Sequence, residues 1–157
     1  MSLPVPEDPS GMIDPEKQIQ YWANRLAFLL RKELRERFLA DGLDISAEEM
    51  ALLMQLWRTP GQTPSALADA TIRDRTTVTR FLDGMVSKGL VVRETDPDDR
   101  RRVIVKPTAA SVDLQSRIMP VVHGLIAESM QGVPAQDAET ARRVLQKITG
   151  NVLAMRG

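Results

Sequence analysis

The sequence of 157 residues contains no cysteine and only one histidine, His123. The absence of cysteine excludes disulfides, thiolate catalysis, thiol redox sensing and every zinc site that needs sulfur ligands. No Asp/Glu cluster has the spacing of a closed metal site, and no glycine-rich phosphate-binding loop is present. The sequence therefore predicts neither a metal-dependent protein nor an enzyme, although a hydrolase that uses carboxylates alone stays open at this point.

Long apolar runs and an excess of either charge are also missing. No stretch approaches the roughly 18 apolar residues of a membrane-spanning helix, and no basic segment followed by an apolar run opens the chain. We therefore expect a cytoplasmic protein that does not bind membranes. Lys and Arg total 21, as do Asp and Glu, so the net charge is zero. Any contact with a polyanion must come from a local basic segment.

Proline content and periodicity divide the chain into an arm and a folded domain. Residues 1–15 hold four of the ten prolines and have no apolar period, which predicts a disordered N-terminal arm. Residues 16–157 are predicted to form one mostly α domain of six helices and a small β-hairpin. Its compact middle part covers residues 43–107, between a long helix over 16–41 and two helices over 108–157.

The helices of the middle part have clear start and stop signals. Ser46 and Glu49 form a capping box before a helix over 47–58, and Thr63 precedes a proline that opens a two-turn helix. Asp74 is the N-cap of a third helix that ends at Gly89. Two β-branched segments, 90–95 and 102–106, enclose a polar stretch and predict a hairpin with a charged tip. Two short helices, a tight turn and such a hairpin form a winged helix-turn-helix.

The second helix and the hairpin carry side chains suited to double-stranded DNA. Short hydroxyls and an arginine opposite the helix's apolar stripe can reach base edges and phosphates in a major groove, and arginines at the hairpin tip can enter a minor groove. Asp99 could hold one of these guanidinium groups and orient the wing. Residues 73–106 contain nine basic and six acidic residues, a net charge of +3. The predicted DNA-binding residues are Arg73, Thr76, Thr77, Arg80, Arg100, Arg101 and Arg102.

Residues 76–108, TTVTRFLDGMVSKGLVVRETDPDDRRRVIVKPT, resemble the recognition helix and wing of the MarR (multiple antibiotic resistance regulator) family. The family's threonine-valine-threonine-arginine run is matched at positions 77–80, its lysine-glycine-leucine helix end at 88–90, and its Asp-Pro-x-Asp-Arg-Arg wing at 96–101. The resemblance extends from about residue 16 to the last residue. It is interrupted after the wing, where Pro107-Thr108 and Ala109 stand in place of the usual leucine-threonine and glycine.

The resemblance implies a homodimer that regulates transcription, usually as a repressor that a small anionic or phenolic ligand releases from a pseudo-palindromic operator. It implies DNA contacts for Thr76, Thr77, Arg80 and Arg101, and it places an effector cavity between the dimerisation helices and the winged helix. The effector-binding residues stay unknown, and no cofactor is expected. Because cysteine is absent, the thiol-oxidation switch of one branch of the family is excluded.

The first and last helices are predicted to form the dimer interface. Their apolar faces lie outside the winged-helix body and would be costly to leave in water. The alternative function is a winged-helix protein-interaction dimer without specific DNA binding. The predicted interface residues are Ile19, Trp22, Leu26, Val144, Leu145, Ile148 and Val152.

Overall fold

The computed structural model describes residues 12–156. Its elements in chain order are α1 (Ile19–Ala40), α2 (Ala47–Arg58), α3 (Pro64–Thr71), α4 (Arg75–Ser87), β1 (Val91–Thr95), β2 (Val103–Pro107), α5 (Ala109–Asp113), α6 (Gln115–Ser129) and α7 (Ala135–Ala154). A short 3-10 turn, Pro15–Lys17, precedes α1. The described chain separates into two compact units, one that runs to Val122 and one that begins at His123. That residues 16–157 act as one domain stays a prediction.

The predicted N-terminal arm lies mostly outside the described residues, which begin at Met12. At its end, the Asp14 carboxylate accepts a hydrogen bond from the Glu16 amide and caps the 3-10 turn. Pro15 is the first residue of that turn, so regular structure begins one residue before the predicted boundary.

Side-chain caps start the helices of the winged-helix body. Ser46 Oγ accepts from the Glu49 amide at 3.1 Å, and a Glu49 carboxylate oxygen accepts from the Ser46 amide at 2.9 Å, which completes the predicted capping box. Thr63 caps α3 ahead of its first-turn proline, and Thr108 caps α5. These caps satisfy amides that have no partner inside the helix, so the local sequence fixes where each helix begins.

The core of the first unit lies where α2, α3 and α4 meet the hairpin. Several large side chains there are fully buried: Phe38 of α1, Leu52, Leu53 and Leu56 of α2, Leu67 of α3, Leu82 and Met85 of α4, and Ile118 of α6. Met54, which the periodicity of α2 places on the apolar face, is 38% exposed. Leu52 and Leu56 are buried instead, because α2 contacts α1, α3, α4 and β2 and so buries more than one stripe.

The predicted hairpin is present as two antiparallel strands. Val91 pairs with Pro107 at the open end, and Thr95 pairs with Val103 beside the tip. The loop before α3 joins β2, because the Val105 amide donates to the Gln62 carbonyl at 2.8 Å and the Gly61 amide donates to the Val105 carbonyl at 3.1 Å. Val91 and Val105 are fully buried, so the base of the hairpin is anchored in the core and its tip projects from it.

The region after the hairpin contains three helices where two are predicted. The first of the two predicted helices is interrupted at Leu114, and α6 continues through Pro120. Ser116 Oγ donates to the Asp113 carbonyl at 3.0 Å beside the break, a side-chain bond that competes with the helical ladder. The described residues thus form seven α-helices. None of these helices is both long and apolar enough to cross a membrane.

Candidate nucleic-acid interface

Helix α4 presents one buried face and one exposed polar face. Val78, Leu82 and Met85 are fully buried, and the helix wheel places Thr76 and Arg80 on the opposite, exposed side. Asp74 caps the helix: its Oδ1 accepts from the Thr77 amide at 2.7 Å. The predicted major-groove residues therefore lie on the solvent side of a helix whose other side is fixed in the core.

Thr77 has a second role that the sequence pattern did not show. Its hydroxyl donates to Asp74 Oδ2 at 2.6 Å, so this proton belongs to the helix cap. The hydroxyl and the amide of Thr77 together hold the pKa of the Asp74 carboxyl below its usual range. The Thr77 oxygen keeps lone pairs that can accept from a base edge, but its donor is already used.

A strained turn connects α3 to α4. Ile72 ends α3 in the left-handed region, at φ 53° and ψ 48°, and is the non-glycine residue with positive φ among residues 12–156. A β-branched residue adopts this conformation only where the surroundings enforce it. The Ile72 and Arg73 amides donate to the carbonyls of Asp69 and Ala68, which closes the turn. The turn therefore fixes where Arg73 emerges relative to α4.

The end of α4 is tied to the start of α2 by a partly buried ion pair. Lys88 Nζ donates to both carboxylate oxygens of Glu49 at 2.9 and 3.0 Å, and to the Asp44 carbonyl at 2.8 Å. Glu49 is 5% exposed, whereas Lys88 is about one-third exposed. Asp44 also pairs with Arg35 at 2.7 Å, and this guanidinium together with Lys88 lowers the pKa of the Asp44 carboxyl. The network fixes the C-terminal end of α4 to the scaffold.

Backbone bonds within the hairpin tip hold the wing in a defined shape. The Asp96 amide donates to the Arg102 carbonyl, and the Arg102 amide to the Asp99 carbonyl, both at 2.9 Å. The Asp99 carboxylate accepts from the Arg101 amide at 3.0 Å, and not from a guanidinium as the sequence suggested. Asp99 therefore shapes the tip through the backbone, because its carboxylate lies within reach of an amide two residues on. Among the wing arginines, Arg102 has a carboxylate partner: its Nε lies 3.7 Å from Asp96 Oδ2.

The basic residues of segment 73–106 divide into two groups by their partners. Four have an acidic partner: Lys88 pairs with Glu49, Arg93 with Asp83, Arg102 with Asp96 and Lys106 with Glu94. The other five have no hydrogen bond or ion pair from their guanidinium groups to any residue between 12 and 156: Arg73, Arg75, Arg80, Arg100 and Arg101. We call these five the unpaired arginines. They lie just before α4, at its first residue, on its exposed face and at the wing tip. In these positions cations would meet a phosphate backbone.

The unpaired arginines include all predicted DNA-binding arginines except Arg102, and they add Arg75. Arg75 is exposed and is the first residue of α4, a position from which a side chain can reach a phosphate. Its place directly after the Asp74 cap was visible in the sequence. That these residues contact DNA stays a prediction.

Arg93 joins the wing to α4. Its Nη1 lies 2.6 Å from Asp83 Oδ1, and Nη2 lies 3.4 Å from the Thr79 carbonyl. Because Asp83 belongs to α4, this ion pair is a bridge between β1 and α4. The bridge connects the two elements that carry the unpaired arginines.

Six of the seven predicted dimer residues are exposed. On α1, Ile19 is 40% exposed and Trp22 and Leu26 are 53% exposed. Within the second unit, α7 has no buried residue; Val144, Leu145 and Val152 are exposed and Ile148 is half-buried. These are amphipathic helices with an apolar face that lacks a partner, as an interface between chains requires.

A small cavity of about 220 Å³ opens beside the α1–α2 loop, within the first unit. Leu43, Leu90 and Leu114 form its apolar lining, and Lys88 and Arg117 are the cations at its wall. Arg117 donates to the Asp41 carbonyl at 2.6 Å. No group of three histidine, aspartate or glutamate side chains that could hold a metal ion occurs between residues 12 and 156.

Comparison with known proteins identifies similar regulators. The MarR family model matches residues 45–103, which span α2 through the start of β2. A curated relative from Thauera aromatica, named as a putative transcriptional regulatory protein for the hcr operon, is 28% identical over 139 residues, 85% of this chain and 77% of that protein.

Solved structures with the same fold include a MarR-family transcriptional regulator from Silicibacter pomeroyi, with a TM-score of 0.72 and 27% identity, covering 88% of this chain and 92% of that one. A cysteine-to-serine mutant of MarR from E. coli, solved in complex with operator DNA, has a TM-score of 0.70 and 28% identity over 80% of this chain and 91% of that one.

Proposed function

We propose that this chain is a member of the MarR family of transcriptional regulators, whose model matches residues 45–103, and that it acts as a homodimeric, ligand-responsive repressor on a pseudo-palindromic operator. In this proposal α4 of each protomer enters a major groove and each wing reaches a flanking minor groove. The two half-sites lie about one helical turn apart, because a two-fold dimer reads two-fold related DNA.

The unpaired arginines are the observation that carries the DNA-binding role. The other cations of the same segment each have an acidic partner, so the unpaired arginines are the ones whose guanidinium groups can meet phosphates without leaving an existing partner. The exposed hydroxyl of Thr76 and the guanidinium of Arg80 supply the groups that discriminate bases. The similarity to a MarR structure solved on operator DNA supports the same use of this surface.

The exposed apolar faces of α1 and α7 support the homodimer. Burial of a Trp22 or Leu26 side chain in a partner surface contributes about 1.5–3 kcal/mol each, and both are more than half exposed in the single chain. Trp22→Glu is therefore expected to shift the protein toward monomer in sedimentation equilibrium, because a carboxylate cannot be buried there unpaired. Leu39→Glu, at an exposed residue of α1 outside the predicted interface, is the control. A dimer as stable with Glu at position 22 as with Trp would contradict this assignment.

We also propose that a small anionic or phenolic effector releases the protein from its operator. The cavity beside the α1–α2 loop supports this: its apolar lining suits a small ring, and Arg117 is the lining cation that could meet an anion, since Lys88 is paired with Glu49 and Asp44. Titration with 2-hydroxybenzoate, which carries both a phenol and a carboxylate, tests the proposal through operator affinity. A fall in affinity with 2-hydroxybenzoate supports it, and neutral 2-hydroxybenzamide, which keeps the phenol, shows whether the carboxylate is required. Unchanged operator affinity with both compounds would contradict it.

The protein is further proposed to act in the cytoplasm and without catalysing a reaction. One histidine, no cysteine and the match to a family of transcriptional regulators support this part of the proposal.

The experiment that tests the proposed function is a titration of the purified protein against duplex fragments from around its own coding region, at two salt concentrations and with a random duplex as competitor. Tight, salt-sensitive binding to a preferred fragment is expected. Weak binding that is equal for all fragments would favour the protein-interaction alternative.

Two arginine variants sharpen that experiment. Arg101→Ala is expected to weaken binding to all sequences and to reduce the slope of log K against log salt by about 1 for each phosphate that the side chain neutralises. Arg80→Ala is expected in addition to narrow the gap between operator and random duplex, by about 1–3 kcal/mol if the guanidinium pairs with one base. Lys106→Ala, at a basic strand residue paired with Glu94, is the matched control. An unchanged salt slope in Arg101→Ala would show that the wing does not contact DNA.

A further inference from the structure

Two of the unpaired arginines lie against one aromatic ring. The guanidinium carbon of Arg73 is 5.9 Å from the centroid of the Phe81 ring, and that of Arg80 is 5.6 Å from the same centroid. Arg73 belongs to the turn before α4 and Arg80 to its exposed face, so the ring connects two parts of the candidate interface. Both distances are within the range at which a cation is attracted to an aromatic face.

Phe81 is itself held in place. The ring is half-buried and packs against the core that includes Leu82 and Met85, on the same helix as Arg80. A side chain fixed on one side by the core and in contact with two guanidinium groups provides a rigid support for two otherwise flexible residues. Neither guanidinium has a hydrogen bond or ion pair to another residue between 12 and 156, so the Phe81 ring is the specific side-chain partner of both within that range.

We infer that Phe81 is a positioning residue for DNA binding, which restricts the Arg73 and Arg80 side chains before DNA arrives. The inference rests on the proposed function. A guanidinium that contacts an aromatic face keeps its N–H donors, which lie in its own plane, available for a base edge or a phosphate. The contact therefore reduces the conformational freedom that binding must remove and uses none of the hydrogen bonds that binding needs.

The size of the effect follows from the ordering cost of a long side chain. Fixing one flexible side chain at an interface weakens affinity by about two- to tenfold. Because the contacts with Phe81 offset part of that cost, loss of the ring is expected to weaken operator binding by about two- to fivefold for each arginine. Binding to a random duplex depends on loose phosphate contacts, so its affinity should fall less when the ring is lost. The ratio of operator affinity to random-duplex affinity is therefore expected to fall.

The test compares Phe81→Leu, which retains an apolar side chain for the core but removes the ring, with Phe81→Tyr, which retains the ring. Phe81→Leu is expected to lose operator affinity and specificity, and Phe81→Tyr to retain both, although the two variants have similar thermal stability. In the Arg73→Ala/Arg80→Ala background, Phe81→Leu is expected to have no further effect. Equal losses in the Leu and Tyr variants, or a Leu effect that persists without the arginines, would show a purely structural role.

A measurement without DNA separates this inference from the proposed function. Proton resonances of the Arg73 and Arg80 side chains, assigned by NMR on the free protein, are expected to be shifted by the ring current and to return toward ordinary values in Phe81→Leu. Unshifted resonances would overturn the inference even if the protein binds its operator. Shifted resonances in a protein that binds no duplex specifically would instead overturn the proposed function and, with it, the positioning role on DNA.

Discussion

Removal of the Lys88 side-chain charge is expected to destabilise the fold through Glu49. The Glu49 carboxylate is 5% exposed and receives both of its shortest cationic contacts from Lys88 Nζ, at 2.9 and 3.0 Å. In Lys88→Met that carboxylate retains the Ser46 amide but no counter-charge. Breaking a fully buried pair costs about 3–5 kcal/mol. Because Lys88 is about one-third exposed, water offsets part of the loss, and we expect a decrease of about 1–3 kcal/mol in the free energy of unfolding.

Urea unfolding monitored by circular dichroism at fixed protomer concentration measures this change. For a chain of this length, the predicted loss corresponds to a melting temperature lower by about 2–12 °C. Lys32→Met is the matched control: it removes the cation of an exposed pair with Glu36 on α1, which contributes at most about 0.5 kcal/mol.

A second substitution distinguishes an unpaired charge from reduced packing. In Lys88→Met/Glu49→Gln the buried group is neutral, and glutamine can still complete the capping box with Ser46. The double variant is expected to regain more than half of the stability that Lys88→Met loses. If Lys88→Met were as stable as the wild type, or the double variant no more stable than the single one, the reasoning about a buried charge would be refuted.

Two further predictions concern the turn before α4 and the N-cap of that helix. Ile72→Gly is expected to raise the free energy of unfolding by about 0.5–1 kcal/mol, since glycine adopts the left-handed conformation without strain; a loss of stability in urea titrations would show that the exposed Ile72 side chain makes a contact worth more than the strain. Asp74→Asn retains the N-cap but removes its charge, so its comparison with the wild type isolates the pKa shift. Because bonds from Thr77 lower the folded-state pKa of Asp74, its charge stabilises the fold fully above the unfolded pKa near 4, and this contribution is lost as pH falls through the folded value. The stability difference between wild type and Asp74→Asn should thus be constant from about pH 5 to 8 and shrink below about pH 4, and a difference that does not change on acidification would contradict the assignment.

The sequence predicts the winged-helix body well because its signals are local. The capping box at Ser46, the Thr63–Pro64 start of α3 and the Asp74 cap each lie within three residues of the amides that they satisfy. The residue at which each of these helices begins therefore does not depend on the rest of the fold. The break at Leu114 lies beside a side-chain bond from Ser116 to the Asp113 carbonyl, and serine makes such bonds in many helices without interrupting them. For that reason the sequence predicts two helices after the wing where the structure has three.

The partners of the charged residues could not be predicted in the same way. Lys88 pairs with Glu49, which lies 39 positions earlier in the chain, and Arg93 pairs with Asp83, ten positions earlier. Both pairs therefore form only after the core has assembled. From the sequence, Arg101 and Arg102 are equivalent wing arginines. In the structure, of these two, Arg102 has a carboxylate near its guanidinium. Sequence thus indicates which segment is basic, and tertiary structure decides which of its cations are available to a ligand.

This division of charges explains how a chain with zero net charge can be suited to DNA. Exposed charges interact over about 8 Å at physiological ionic strength, so a phosphate senses its immediate surroundings and not the total charge of the chain. Within segment 73–106, Glu94 and Asp83 are occupied by the structural cations Lys106 and Arg93, and their short-range fields largely cancel. The five unpaired arginines then remain with Asp74, Asp98 and Asp99, a net charge of +2, so the positive potential of the segment comes from these arginines. Loss of a structural acid should therefore act through geometry: Asp83→Asn makes the surface more positive, yet it releases Arg93 from α4 and frees the wing to move relative to the recognition helix. If operator affinity falls in Asp83→Asn while affinity for random duplex rises, the bridge positions the wing; if both rise together, Asp83 only repels phosphate.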